Sequence, residues 1–159
     1  MVTDIQKQDY IEVEDFDKRL EEAERELLRL PQVDCPVQHH FSDGIYCREM
    51  LAPAGTALIG HEHKEECLNV LMMGKIAVKV GNEVKHLEAP CIFKSAPGVK
   101  KLGLVIRNVI WLNIHPNPDN TTDMKILEDR HINKSQARLE YDAEQELLAE
   151  TKEDTDGVG

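Results

Sequence analysis

From Pro36 to His115 the chain reads as a succession of short β-rich runs, and this stretch narrows its fold more than any other feature. The runs fall at about 36–41, 45–50, 55–60, 67–73, 75–80, 84–87, 90–95, 102–106 and 108–115. Turn residues separate them: Asp43-Gly44, Pro53-Ala54-Gly55, Gly74, Gly81-Asn82 and Pro97-Gly98. Gly81-Asn82, between two β-rich runs, marks a tight hairpin. No segment of helical periodicity interrupts the series, which disfavours a parallel α/β fold. Eight or nine short strands with regular turns predict an all-β core: a sandwich, a jelly roll or a small barrel.

The flanks differ in kind. Phe16, Leu20, Ala23, Leu27 and Leu30 recur at heptad spacing on an otherwise charged segment, with Asp15 near the expected N-cap and Pro31 as the stop. Two heptads are too few for a free-standing coiled coil, so this stripe packs on the β core or on a partner subunit. After His115, Pro116 and Pro118 end the sheet; a short helix is expected within 119–129, with Met124 and Leu127 facing the core. A second helix is expected over 135–150, with a weak stripe of Leu139, Ala143 and Leu147. The division is therefore an acidic helical segment at 1–33, a β core at 34–118, C-terminal helices at 119–150 and a disordered acidic tail at 151–159.

Of the 159 residues, 30 are acidic and 19 basic, giving a net charge of −11. Residues 1–30 carry ten acids and five bases, and residues 134–159 carry eight and three. The stretch between is almost neutral, so there is no basic footprint and nucleic acid is disfavoured as a partner. No apolar run is long enough to span a membrane, and residues 1–10 lack the apolar core of a secretory signal, so the expected location is cytoplasmic. Cys35, Cys47, Cys67 and Cys91 include no C-x-x-C pair, and Cys35, Cys47 and Cys91 read as reduced, buried thiols.

The chemistry-bearing stretch is Gly55-Thr-Ala-Leu-Ile-Gly-His61-Glu-His63-Lys-Glu-Glu-Cys67-Leu-Asn69-Val-Leu-Met-Met-Gly74. If extended geometry persists, His61, His63, Cys67 and Asn69 share one face, and two imidazoles with a thiolate suit zinc or another late first-row metal. Exposed histidine pairs also occur on strands without a metal, so both readings stand at this point. His115 ends Trp111-Leu112-Asn113-Ile114-His115 on the face of Trp111 and Asn113; it is either a further ligand or a polar rim residue.

This stretch resembles the first motif of the cupin superfamily, G-x5-H-x-H-x3-E-x6-G, with Gly55, His61, His63 and Gly74 in register and Cys67 at the usual glutamate position. The second cupin motif matches less well. Gly98 keeps the turn, but Lys101 stands at the histidine position and Val105 at the asparagine. The resemblance spans roughly residues 36–116 and implies a cupin-type jelly-roll β-barrel with flanking helices. It implies first-motif histidines lining the barrel cavity; the metal-binding reading then places a divalent metal (Zn, Fe, Mn or Ni) on His61, His63 and Cys67, with His115 as a replacement ligand, and Lys101, Arg48 and Asn69 orient a small ligand. Cupins commonly pair, so a homo-oligomer, with a dimer favoured, is expected.

The wider pattern is similar to small cupin-like proteins of tailed bacteriophages and prophages, through Cys35-Pro36-Val37, Phe41-x-x-Gly44-x-Tyr46-x-Arg48-Glu49, Pro53-Ala-Gly-Thr56, His63-x3-Cys67-Leu-Asn69, Ala89-Pro90 and Trp111 with His115. Three functions follow as alternatives. The first is a binding or assembly module. The second is a metal-dependent enzyme of dioxygenase, isomerase or hydrolase type. The third is a phage accessory protein that binds a host factor.

Overall fold

A computed structural model describes the backbone of residues 4–156 and the side chains of residues 15–152. Its centre is an antiparallel sheet flanked by helices, the all-β core that the turn-punctuated runs predict. Strands β1 (Val37–Ser42), β2 (Gly44–Ala52), β3 (Ala57–Ile59) and β4 (Glu62–His63) lead to β5 (Cys67–Val80), and then come β6 (Glu83–Glu88), β7 (Cys91–Ser95) and β8 (Leu102–Asn117). The sheet order is β1-β2-β8-β5-β6, with β3 also on β8 and β7 also on β5.

The runs read as 67–73 and 75–80 are one strand, β5, and those at 102–106 and 108–115 are one strand, β8. Gly74 causes the first misreading. It bends β5 at φ +87° without ending it, and the β5–β8 ladder shifts register on either side. Each long strand therefore serves two sets of partners. Cys67–Leu71 pairs with β7 and with the C-terminal half of β8, while Lys75–Val80 pairs with β6 and with the N-terminal half of β8. Leu102–Leu104 pairs with β3, and Val109–Asn117 with β2. Ala52, Leu71, Ile76, Val78, Val105 and Val109 form the buried core at and beside this bend.

Helix α1 runs Asp4–Leu28, so Asp15 lies inside it rather than at its start. Residues 4–14 contain no glycine or proline to delay the helix. The buried face of α1 is Leu20 and Glu24, with Phe16 and Leu27 half-buried and Ala23 and Leu30 exposed. The helix is thus turned by about one residue from the heptad reading, because Glu24 has a specific partner. Lys100 Nζ lies 2.5 Å from Glu24 Oε2, and Ser135 Oγ donates to the same oxygen at 2.7 Å. That carboxylate ties α1 to the strand-side loop and to the start of the last helix.

Helix α2 (Met124–His131) is capped by Asp123, whose side chain accepts from the amides of Lys125 and Ile126. Leu127 is buried as expected, whereas Met124 is exposed. The short β9 (Ile132–Asn133) then pairs with β4, and α3 (Gln136–Asp156) follows. The Leu139, Ala143 and Leu147 stripe of α3 faces outward; Ala137 is its buried contact, and Arg25 of α1 reaches Glu140 at 3.4 Å. The helix continues through 151–156, where a disordered tail was expected, and Thr151 Oγ1 donates to the carbonyls of Leu147 and Leu148. Residues 157–159 lie outside the described residues. No helix is long and apolar enough to cross a membrane, among the described residues.

Candidate metal centre

Three of the expected ligands converge. One ligand atom each of His63, Cys67 and His115 lies within 4.8 Å of the other two. They come from three places in the fold: His63 from β4, Cys67 from the first residue of β5, and His115 from near the end of β8. Alternation places Cys67, Asn69 and Leu71 on the inner face of β5, and Trp111, Asn113 and His115 on the inner face of β8.

His61 stands outside this group and lines a neighbouring cavity instead. A common face for His61, His63, Cys67 and Asn69 needs a continuous strand from His61 to Asn69. The backbone is irregular at residues 60–61 and bends at 64–66, so parity is lost on both sides of β4. What holds His63 is β9: His63 pairs with Ile132, and the amide of Lys64 donates to the carbonyl of His131 at 2.9 Å.

The same pairing brings in a residue that sequence reasoning missed. His131, the last residue of α2, is buried, and its ring stacks on that of His115 at 4.5 Å between centroids. His131 makes a hydrogen bond to the backbone of Pro116, while its Nε2 is buried without a hydrogen-bond partner among the described residues. Tyr46 stacks on the opposite side of the cluster, 5.9 Å from the His115 ring, with its hydroxyl 2.7 Å from His39 Nδ1. His63 meets His115 edge-on at 5.3 Å. No spacing rule links residue 131 to residue 63; only the β4–β9 pairing does.

Burial sets the protonation states. It pushes His63 down to about 4, helped by the charges of Lys101, His61, His131 and Arg48. It pushes His115 down to about 3, helped by His131, His63 and Arg48. Both rings are neutral at pH 7, so their lone pairs are available to a cation. Burial raises the Cys67 thiol, opposed by the hydrogen bond from the Asn113 amide, by its contact with the Ile114 backbone and by the Lys101 charge.

A polar chain runs behind the thiol. Asn113 Nδ2 is 3.9 Å from Cys67 Sγ and donates to Asn69 Oδ1 at 2.7 Å, which also accepts from Trp111 Nε1 at 3.0 Å. Asn69 Nδ2 donates to Ser95 Oγ at 2.8 Å, and Lys101 Nζ donates to the same hydroxyl. Both atoms of the Asn69 amide are hydrogen-bonded within the protein, and Asn69 lines the neighbouring cavity. Lys101 lies within electrostatic reach of Cys67, and burial lowers its pKa.

The donor set fits a borderline or soft divalent cation. Two neutral imidazoles and a thiol that loses its proton on coordination suit Zn²⁺, Ni²⁺ or Fe²⁺ better than Mn²⁺, which prefers oxygen ligands. The cavity next to it has a volume of about 210 Å³, with Arg48, Lys101, His61, Asn113 and Trp111 on its wall beside Leu58, Ile76 and Val78.

No protein-family model matches the chain, and no curated protein matches it. Solved structures do. An uncharacterised conserved protein with a double-stranded β-helix domain from Klebsiella pneumoniae is 16% identical, with a TM-score of 0.47, over 62% of this chain and 90% of that one. A cupin superfamily protein from Desulfitobacterium hafniense is 11% identical, with a TM-score of 0.46, over 58% and 85%. An RmlC-like cupin family protein with a double-stranded β-helix fold from Methanocaldococcus jannaschii is 13% identical, with a TM-score of 0.45, over 57% and 87%. These likenesses concern the fold.

Proposed function

We propose that this chain is a divergent cupin that binds one divalent metal ion through His63, Cys67 and His115, and that it acts as a binding module. The observation that carries the reading is the convergence of these three donors from β4, β5 and β8 within 4.8 Å. Cys67 and His115 are buried, 1% and 7% exposed, so a bound ion would be held away from bulk solvent, with three protein donors leaving one coordination position open. Lys101, at the usual second-motif histidine position, is engaged with Ser95 and adds a cation where a further ligand would be needed. A bound ion would supply Lewis acidity to any group entering an open coordination position. The test is the metal content of untagged protein by mass spectrometry, for wild type, His63→Ala and Cys67→Ala. The reading expects near-stoichiometric metal lost in both variants; metal indifferent to both changes contradicts it. Turnover of a small molecule that depends on these ligands would favour the enzyme alternative.

A second copy of the chain is the partner we infer. Leu68 and Met72 of β5, Ile92 of β7 and Leu51 of β2 are exposed on the outer face of the sheet, beside half-buried Ile110, Leu112 and Ile114 of β8. This face is mostly apolar, with Glu49 and Lys94 as its charged members, while the acidic excess sits in the flanking segments, so two copies can meet here with little opposition of charge.

A further inference from the structure

The cavity beside the metal centre is at odds with the charge of the molecule that contains it. The chain has 30 acidic and 19 basic residues, yet the wall carries Arg48 and Lys101 and no aspartate or glutamate. Among the described residues, Arg48 takes part in no ion pair or hydrogen bond, and Lys101 donates only to the neutral hydroxyl of Ser95. The carboxylate of Glu128 attracts Arg48 from beyond the wall and is itself paired with Lys134 at 3.2 Å.

Two half-buried cations without an anion are costly to keep desolvated, and an anion bound in the cavity they line offsets that cost. The rest of the wall is mostly apolar: Met50, Leu58, Ile59, Ile76, Val78 and Ile132. A planar guanidinium accepts a carboxylate through two parallel hydrogen bonds, and the apolar wall accepts a hydrocarbon body. The volume of about 210 Å³ holds roughly seven waters, or an organic molecule of about ten non-hydrogen atoms.

From this we infer that the cavity binds a small organic monocarboxylate, its carboxylate held by Arg48, with Lys101 adding positive charge to the same wall, and its apolar body against Leu58, Ile76 and Val78. The site stands on the wall's own charges and does not require the metal, although it deepens the reading of the protein as a binding module. Phosphorylated or polyhydroxylated ligands are disfavoured, because the wall's other polar groups are few and those of Asn69, Trp111 and Asn113 are hydrogen-bonded to one another.

The test is titration calorimetry of the full chain, metal-loaded and chelator-treated, with benzoate and hexanoate against the neutral isosteres benzamide and hexanamide. The expected result is saturable binding of at least one acid, with its amide weaker by about ten-fold or more. Arg48→Gln and Lys101→Gln should each weaken the acid about ten-fold with an unchanged circular dichroism spectrum, while Lys94→Gln, an exposed cation outside the cavity, leaves it unchanged. Arg48→Lys, which keeps the charge but not the fork, should fall between. Acids that bind no better than amides, or that bind equally to the Arg48→Gln and Lys101→Gln proteins, overturn the inference. Acid binding to a protein that takes up no metal when metal is offered would sustain the inference while removing the metal reading.

Discussion

The rings of His115 and His131 stack at 4.5 Å with planes 23° apart, which joins the end of the longest strand to the end of the helix that follows it. The candidate centre is therefore not a property of the β core alone. Residues 131–133 pin β4, and β4 carries His63.

Stability should fall in acid through these histidines. In the metal-free protein, His63 is lowered to about 4 and His115 to about 3, both from an unfolded value near 6.5. The unfolded chain binds protons between those limits that the folded chain refuses. Stability from these groups is complete above about pH 6.5 and is lost as pH falls toward 4 and then 3, with a slope of up to about 1.4 kcal/mol per pH unit for each ring. Urea unfolding of chelated protein between pH 4.5 and 7.5 should show this slope, flattened in His63→Gln/His115→Gln. Equal slopes in both proteins would place the acid sensitivity elsewhere.

Glu24 should be a structural hinge pin between α1, the Lys100 loop and α3. Its carboxylate is 7% exposed and the Lys100 side chain 11%. Glu24→Ala leaves Lys100 as a buried cation without a partner and should cost about 3 kcal/mol. Hydrogen exchange in α1 should accelerate more than in β5. Uniform acceleration across both elements would mean that α1 has no separate docking energy.

Glycine substitutions should separate strain from collision. A Cβ on Gly74 would stand 2.0 Å from the carbonyl oxygen of Asn108, and the residue holds φ +87°. Gly44 holds φ +73° with nothing within 4 Å. Gly44→Ala should cost about 1 kcal/mol, for the left-handed backbone alone. Gly74→Ala should cost several times that, because β5 and β8 must part at the bend. Denaturant midpoints of the two variants provide the comparison.

The apolar outer face should govern assembly. Leu68→Glu combined with Ile92→Glu should convert a dimer to a monomer by light scattering after size exclusion, with the circular dichroism spectrum retained. A dimer that survives both changes would place the interface elsewhere.

How far the sequence discloses this molecule depends on the reach of each signal. Turn residues and alternation act over a few positions, so they reveal the β core, Pro31 as the helix stop and the inward face of β8. They also mislead at Gly74, because a glycine that bends a strand looks the same as one that ends it. His63 and Cys67 are legible through local spacing, and His115 through its parity with Trp111 and Asn113. His61 is not resolved from His63 by parity, since the irregular backbone on either side of β4 has no sequence signature strong enough to see. His131 is invisible because its place depends on a two-residue pairing between β4 and β9. The stripe on α1 is legible in kind, but its rotation toward Glu24 follows from Lys100 and Ser135, distant residues that no helical period encodes.

The account rests on His63, Cys67 and His115 forming one metal site, and cobalt reports on it most directly. Co²⁺ added to chelated protein should produce a thiolate-to-metal charge-transfer band that saturates at one equivalent, vanishes in Cys67→Ser and weakens in His115→Ala. A silent titration, or a band that persists unchanged in both variants, would contradict the site.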